Sequence, residues 1–295
     1  MIQRSFLRRG LLYILLMLWT ASVVVSQELY VFTEPASNMP TNSVSAKVSG
    51  MFANDNYSKK TLQRYTPEVM VGLSKKWMVH AIGTFSNMHQ NKLIFESARL
   101  YAKWRFLSLD DVHKHFRMAA FGAVSYSRNA LNFNEINLSG DQSGAQIGLI
   151  ATQLWNKLAI SGSASLNEVL HKYRWDGNHS RQHVFETFNY SLSAGYLLLP
   201  LEYRDYNQTN VNLYMELLSG INLGRPQERA YTDLAPAIQF IFNSTDKLNV
   251  GYRFQISGDI SRMANKSFMI SFEHIFLNVL KKKKYVDGAS HSLNP

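Results

Sequence analysis

Few residues in this chain are grouped so that they could do chemistry together. The densest group is Asp110-Asp111-Val112-His113-Lys114-His115. Imidazole and carboxylate are ordinary ligands for a divalent metal. His113 and His115 with Asp111 therefore form one candidate site, and a solvated polar turn with Lys114 opposing a cation is the alternative. Nucleophilic catalysis needs a Ser, a His base and a polar group to orient the base. The adjacent pairs His179-Ser180 and His291-Ser292 lack the i, i+2 spacing that would aim both side chains from one strand face. No Gly-x-Ser-x-Gly elbow occurs. These absences argue against an enzyme, including the lipid-hydrolysing kind that some barrels are. The largest set with a shared pattern is charged or basic: Lys47, Glu68, His80, Arg99, Lys103, Arg105, Arg117, Glu216, Arg253 and Glu273. Each stands on the polar side of a segment that alternates apolar and polar residues.

Those alternating segments are the elements that must position the charges. Tyr65 to Phe85 shows the unit clearly. Val69, Val71 and Leu73 precede a break at Lys75-Lys76, and Trp77, Val79, Ala81, Gly83 and Phe85 follow it on one face. Side chains alternate across a strand, so this is a hairpin with one apolar and one mostly polar face. Twelve such strands are expected, beginning at Ser43 and ending at Leu277. The cleanest alternation is Leu158 to Val169, where Leu158, Ile160, Gly162, Ala164 and Leu166 oppose Ser161, Ser163, Ser165 and Asn167. Tight breaks at Lys75-Lys76, Asn156-Lys157 and Ser244 to Asp246 fall on even-numbered links. Longer ones, such as Ala53 to Arg64 and Arg128 to Asp141, fall on odd-numbered links. Short turns at one end and long loops at the other, with an even strand count, are the pattern of an outer-membrane barrel. Pro67 and Pro236 fall inside expected strands, where proline removes a ladder donor. Glu96, Glu186 and His274 fall on nominally lipid-facing positions, which a bulge or a place at the rim would explain.

The flanks and the composition agree with export. Arg4, Arg8 and Arg9 precede an apolar run from Leu11 to Val25, and Val24-Val25-Ser26 fits a cleavage site. Residues 1–26 are expected to be a signal peptide rather than an anchor. No stop-transfer charges follow, and no later run approaches the ~18 apolar residues of a membrane helix. Residues 27–42 hold two prolines and no lasting period, and are expected to form an N-terminal periplasmic segment at the barrel mouth, too short for a plug domain. The barrel is expected over 43–280 and a basic tail over 281–295. The chain contains no cysteine, which excludes a lipoprotein and argues against a disulfide-built secreted domain. Its net charge is +10, or +7 without Arg4, Arg8 and Arg9. Apart from Lys281 to Lys284 the cations are dispersed, so nucleic acid is not an expected partner. No cofactor is expected.

The fold class expected is all-β: a single closed antiparallel transmembrane barrel of about twelve strands, because an open sheet edge cannot be satisfied in lipid. A soluble β-sandwich is the alternative. The signal peptide, the twelve alternating segments and the final aromatic strand FMISFEHIFL resemble outer-membrane barrels of the porin or transporter-like kind, especially those of Bacteroidota. The start QELYVFTEPASNMP resembles members from that phylum. One departure is the tail after Leu280, since the aromatic strand usually ends such proteins. The resemblance implies an outer-membrane location, lipid and the barrel-assembly machinery as partners, and passage of small solutes. A surplus of inward Lys and Arg favours anions in a pore. Alternatively the inward charges pair across a narrow lumen and fill it, leaving a non-conducting barrel that binds a partner or a metal at its loops or periplasmic face. Oligomeric state is left open.

Overall fold

Twelve amphipathic strands can bury every backbone donor and hide their polar faces only by closing on themselves. The computed structural model of the chain describes residues 30–112, 114–171, 183–201, 207–224 and 230–281, and in it the sheet closes. The strands are β1 (Val44–Asn54), β2 (Thr61–Gly72), β3 (Trp77–Ser86), β4 (Ile94–Asp110), β5 (Lys114–Ser127) and β6 (Gly144–Trp155). They continue as β7 (Leu158–Val169), β8 (Glu186–Leu199), β9 (Asn210–Asn222), β10 (Ala230–Phe242), β11 (Asp246–Gly258) and β12 (Lys266–Phe276). Each pairs antiparallel with its sequence neighbours, and β1 meets β12 from Val44↔Phe276 to Ala53↔Ser267 to seal the barrel. The expected signal peptide (1–26), His113, the 172–182 stretch with His179 and Ser180, and all of the expected basic tail but Lys281 lie outside the described residues.

The side-chain period of two sorts the wall into two surfaces. Leu100, Ile147, Leu149, Leu192, Phe268, Ile270 and Phe272 are exposed on the outside. Ser161, Asn167, Ser193, Gln239, Asn249 and Ser271 are buried on the inside. An apolar exterior around a polar interior is the reverse of a soluble sandwich, and it is what a bilayer demands. Asn156 closes the two-residue β6–β7 hairpin at φ 47°, a left-handed conformation that Asn tolerates.

The irregular residues have local explanations. Pairing of β2 with β3 skips Thr66 and Pro67, and pairing of β10 with β11 skips Ala235 and Pro236. Both prolines thus remain in strands where the ladder is interrupted. Glu96 corrects the lipid-facing expectation. A bulge at Thr84/Phe85 in the β3–β4 pairing leaves Glu96 as the unpaired residue, and it is fully buried 3.8 Å from Arg64. His274 is partly exposed and bonded to Asp246 at 2.7 Å, beside the tight β10–β11 turn. On the lumen side of β9 to β12 runs a belt of amides. Asn212 donates to Gln239 (3.2 Å), Gln239 to Asn249 (2.8 Å) and Asn249 to Ser271 (2.9 Å).

Candidate functional site

The lumen is occupied by two pieces of chain that are not wall. The first is the N-terminal segment, and its position corrects the expectation of a segment at the mouth. Residues 30–42 run inside the barrel. They enter at the short-turn end, where the Asn42 amide bonds Gly72 O at 2.7 Å and the Gly72 amide bonds Ser43 O at 3.0 Å. Gly72 is required there, because a Cβ would run into the Pro40 carbonyl. From that point the segment crosses the lumen. The Met39 amide faces Met78 Sδ, Arg117 bonds Ser37 Oγ at 2.9 Å, and the Ala36 amide bonds Thr152 Oγ1 at 2.9 Å. Lys103 donates to Glu34 Oε2 (2.7 Å) and to the Pro35 carbonyl (2.9 Å).

The far end of the segment docks on Glu216 of β9. This carboxylate accepts from the amides of Val31 and Phe32, both at 2.9 Å, and from the Thr33 hydroxyl at 2.6 Å. Charge-assisted bonds of this kind are about twice as strong as neutral ones. Tyr30 packs edge-on against Tyr214 at 5.6 Å. Phe32 lies over Gly251, where an added Cβ would come within 2.6 Å of its ring. A segment of this length lacks a core of its own; it is ordered by polar groups of the wall and by an apolar cluster of Tyr30, Val31 and Phe32 with Ala159 and Tyr214.

The second piece is the β5–β6 connection, residues 128–143, which folds inward from the long-loop end. Leu131, Ile136 and Leu138 form an apolar cluster with Val169 and Val184. Ion pairs tie the loop to the wall. Asp141 pairs with Arg64 of β2 and with His89 (3.1 Å). Glu135 pairs with Arg262 (2.8 Å), which also holds Asp233 (2.7 Å) and lies over the Tyr231 ring at 4.3 Å. Burial works to raise the pKa of Asp141, but Arg64 and His89 outweigh it and hold the carboxyl well below the usual range. For Arg262 burial opposes the charge, and Glu135 with Asp233 more than restores it, raising its pKa. A cavity of about 60 Å³ remains between this loop and the β11–β12 connection, with Arg64, His89, Asp141 and Arg262 in its lining.

Most of the charged residues read from the sequence pattern meet partners. Lys47 lies 4.0 Å from Glu68, and Glu68 also bonds His80 at 2.6 Å. Glu273 accepts from Ser45 (2.6 Å) and pairs with Lys247 (3.3 Å). Arg253 bonds Asp233 at 2.5 Å. Arg99 bonds neutral partners, Ser139 of the loop and Gln146 of β6, both at 2.5 Å. Arg105 is half-buried, its amide bonded to Lys76 O beside the β2–β3 turn. On the β4–β5 turn, where His113, His115 and Asp111 form the metal candidate, His115 bonds Asp110 at 2.9 Å, an oxygen that Arg117 shares, while Asp111 caps the Val112 amide; His113 lies outside the described residues.

What the sequence pattern missed is the contribution of the N-terminal segment. His80, a lone polar filler by its strand alone, faces Glu34 as well as Glu68. Glu34 sits in a stretch without periodicity, so nothing placed it on any face. The run of polar, turn-forming residues in ELYVFTEPASNMP, too short for a core yet rich in groups that bond side chains, was the available signal.

The sequence matches no protein-family model and no curated protein. Solved structures do match. An outer membrane channel from Pseudomonas putida F1 aligns over 84% of this chain and 100% of its own, with a TM-score of 0.55 at 12% identity. The NanC porin aligns over 78% of this chain and 98% of its own, with a TM-score of 0.51 at 11% identity. The chain has the fold of outer-membrane channels.

Proposed function

We propose that the protein is an outer-membrane pore for small solutes whose resting state is closed by its own N-terminal segment. One observation carries this. Among the described residues, the segment that crosses the lumen is covalently continuous with the wall only at β1, its other contacts with the wall are non-covalent, and behind it the wall is lined with polar and charged side chains. A lumen that served only as structural filling would need no such surface. The fold shared with channels supports the same reading. The apolar exterior supports placement in a bilayer, and export through a signal peptide supports the outer membrane.

The lumen favours anions once the segment leaves. Its departure removes the Glu34 carboxylate and frees Lys103 and Arg117 from their segment partners, adding to Arg99, whose hydrogen bonds go to neutral groups. Rings of such cations raise the local anion concentration. The test is conductance of the refolded protein in a planar bilayer, with folding checked by heat-modifiable gel mobility. The full chain should show rare or small steps, and a chain beginning at Asn42 should show frequent, larger, anion-preferring ones. A non-conducting barrel that binds a partner at its loops would stay silent in both forms.

A further inference from the structure

A cluster of metal-ligating groups lies where the N-terminal segment meets the wall. Glu34 of the segment, Glu68 of β2 and His80 of β3 each offer one ligand atom, and the three atoms lie within 4.8 Å of one another. His80 Nδ1 is 2.6 Å from Glu68 Oε1 and 3.4 Å from Glu34 Oε1. An imidazole nitrogen carries at most one proton and donates it in one direction, so a single proton on Nδ1 does not serve both carboxylates. The other ring nitrogen, Nε2, is buried and has no hydrogen-bond partner, and the residue is only 3% exposed. The near oxygens of both carboxylates therefore converge on one nitrogen of a buried ring.

The far oxygens are held from outside the cluster. Glu34 Oε2 accepts from Lys103 (2.7 Å) and from the Tyr101 hydroxyl (3.3 Å). Glu68 Oε2 lies 4.0 Å from Lys47. Carboxylates oriented by such outer partners, with the near oxygens turned toward the imidazole, are how proteins position metal ligands from a second layer. Ligands around a tetrahedral first-row ion bonded at about 2.0–2.2 Å sit about 3.3 Å apart; the Glu34 contact, at 3.4 Å, has that spacing, and the Glu68 contact, at 2.6 Å, opens by a fraction of an ångström when an ion replaces the proton. One nitrogen and two oxygens suit Zn²⁺ and its neighbours better than Ca²⁺, which takes six to eight oxygens. Glu34 keeps 28% of its side chain exposed, so an ion reaches the site from the lumen without opening the wall.

We propose that Glu34, Glu68 and His80 form a divalent transition-metal site, of the Zn²⁺ class, that staples the N-terminal segment to the barrel wall. The ion replaces the proton on His80 Nδ1 and bridges segment and wall directly. Its regulatory consequence, a pore held shut by metal, rests on the pore reading above; the site itself does not.

Titration of the refolded full-length protein with Zn²⁺, and separately with Co²⁺ followed by its visible spectrum, tests the site. One ion per chain is expected, with a tetrahedral Co²⁺ spectrum and affinity that falls with pH as protons compete for the imidazole. Glu34→Gln, Glu68→Gln and His80→Gln should each weaken binding at least 10-fold. Glu34→Gln keeps an acceptor for Lys103 and Tyr101, and heat-modifiable gel mobility of each variant separates loss of the site from misfolding. Absence of stoichiometric binding overturns the proposal, as does binding that survives all three substitutions unchanged. In bilayers, chelator should raise open time in the full chain and leave the chain starting at Asn42 unaffected. Binding without any conductance in either chain would keep the metal site and reject the pore.

Discussion

Among the described residues, two pieces of chain fill this barrel; both pack apolar side chains, but they differ in how their backbones are held. The β5–β6 loop brings its own structure. It buries Leu131, Ile136 and Leu138 in a cluster with Val169 and Val184. It also satisfies part of its own backbone, with the amides of Asp141 and Gln142 bonding Asn137 O. It is tethered to a strand at each end. The N-terminal segment, among the described residues, sends its hydrogen bonds to the wall and not to itself, and only its C-terminal end continues into a strand. A loop fixed at both ends and packed on an apolar cluster constricts permanently. A segment continuous with the wall only at β1, among the described residues, and held otherwise by non-covalent contacts can leave as a unit. The difference assigns constriction to one element and gating to the other.

The largest effect should come from removing one element or the other. Starting the chain at Asn42 should raise mean conductance several-fold while the barrel's melting temperature changes little. Replacing residues 131–138 with a short Gly-Ser link should do the reverse, lowering the melting temperature more than it changes conductance. Similar outcomes for both deletions would end the distinction.

Glu216→Ala tests the docking end of the segment alone. It leaves the Val31 and Phe32 amides and the Thr33 hydroxyl without their acceptor. Losing a charged acceptor that serves buried donors costs about 3 kcal/mol. That is a shift of roughly 100-fold in the closed-to-open ratio, read as open probability in single-channel records. A closed fraction unchanged by this substitution would mean that the segment is held elsewhere.

The loop has a pH signature of its own. The Asp141 pKa is lowered in the folded state, so its contribution is complete above the unfolded carboxyl value, about pH 4. It is lost as pH falls below that toward the folded value. Acid should therefore loosen the loop, seen as a drop of about 1–2 kcal/mol in stability below about pH 4, and Asp141→Asn should flatten the profile there. The smallest effect expected is on selectivity. Arg99→Glu, between the loop and β6, should move the reversal potential under a salt gradient toward cations by a few millivolts, about the share of one charge among several.

Legibility in the sequence followed the same division. The wall was readable because a period of two leaves a mark at every position; β7 (Leu158–Val169) and β9 (Asn210–Asn222) begin and end where the alternation does. Glu96 escaped because a one-residue bulge inverts the face of everything read through it. The lumen contents escaped for a different reason. Residues 30–42 have no period, and their positions are set by Glu216, Thr152 and Lys103, more than sixty residues away in the chain. Contacts of that kind are properties of the closed barrel and leave no local pattern.

The amide belt on β9 to β12 has a mechanical consequence. A barrel behaves like staves held edge to edge, and backbone ladders resist pulling the staves apart far better than they resist one stave rocking against the next. Asn212, Gln239, Asn249 and Ser271 act as a hoop segment across four staves, each amide donating in the same circumferential direction. Bonds aligned head to tail polarise one another, so that third of the wall should flex as one stiff plate. Lateral pressure from the bilayer is then borne unevenly. The arc from β2 to β6 is bridged by separate pairs, such as Glu68 with His80 and Arg99 with Gln146, rather than by a continuous run; it should take up more of the deformation, and it is the arc against which Asn38, Met39 and Ser37 of the segment rest.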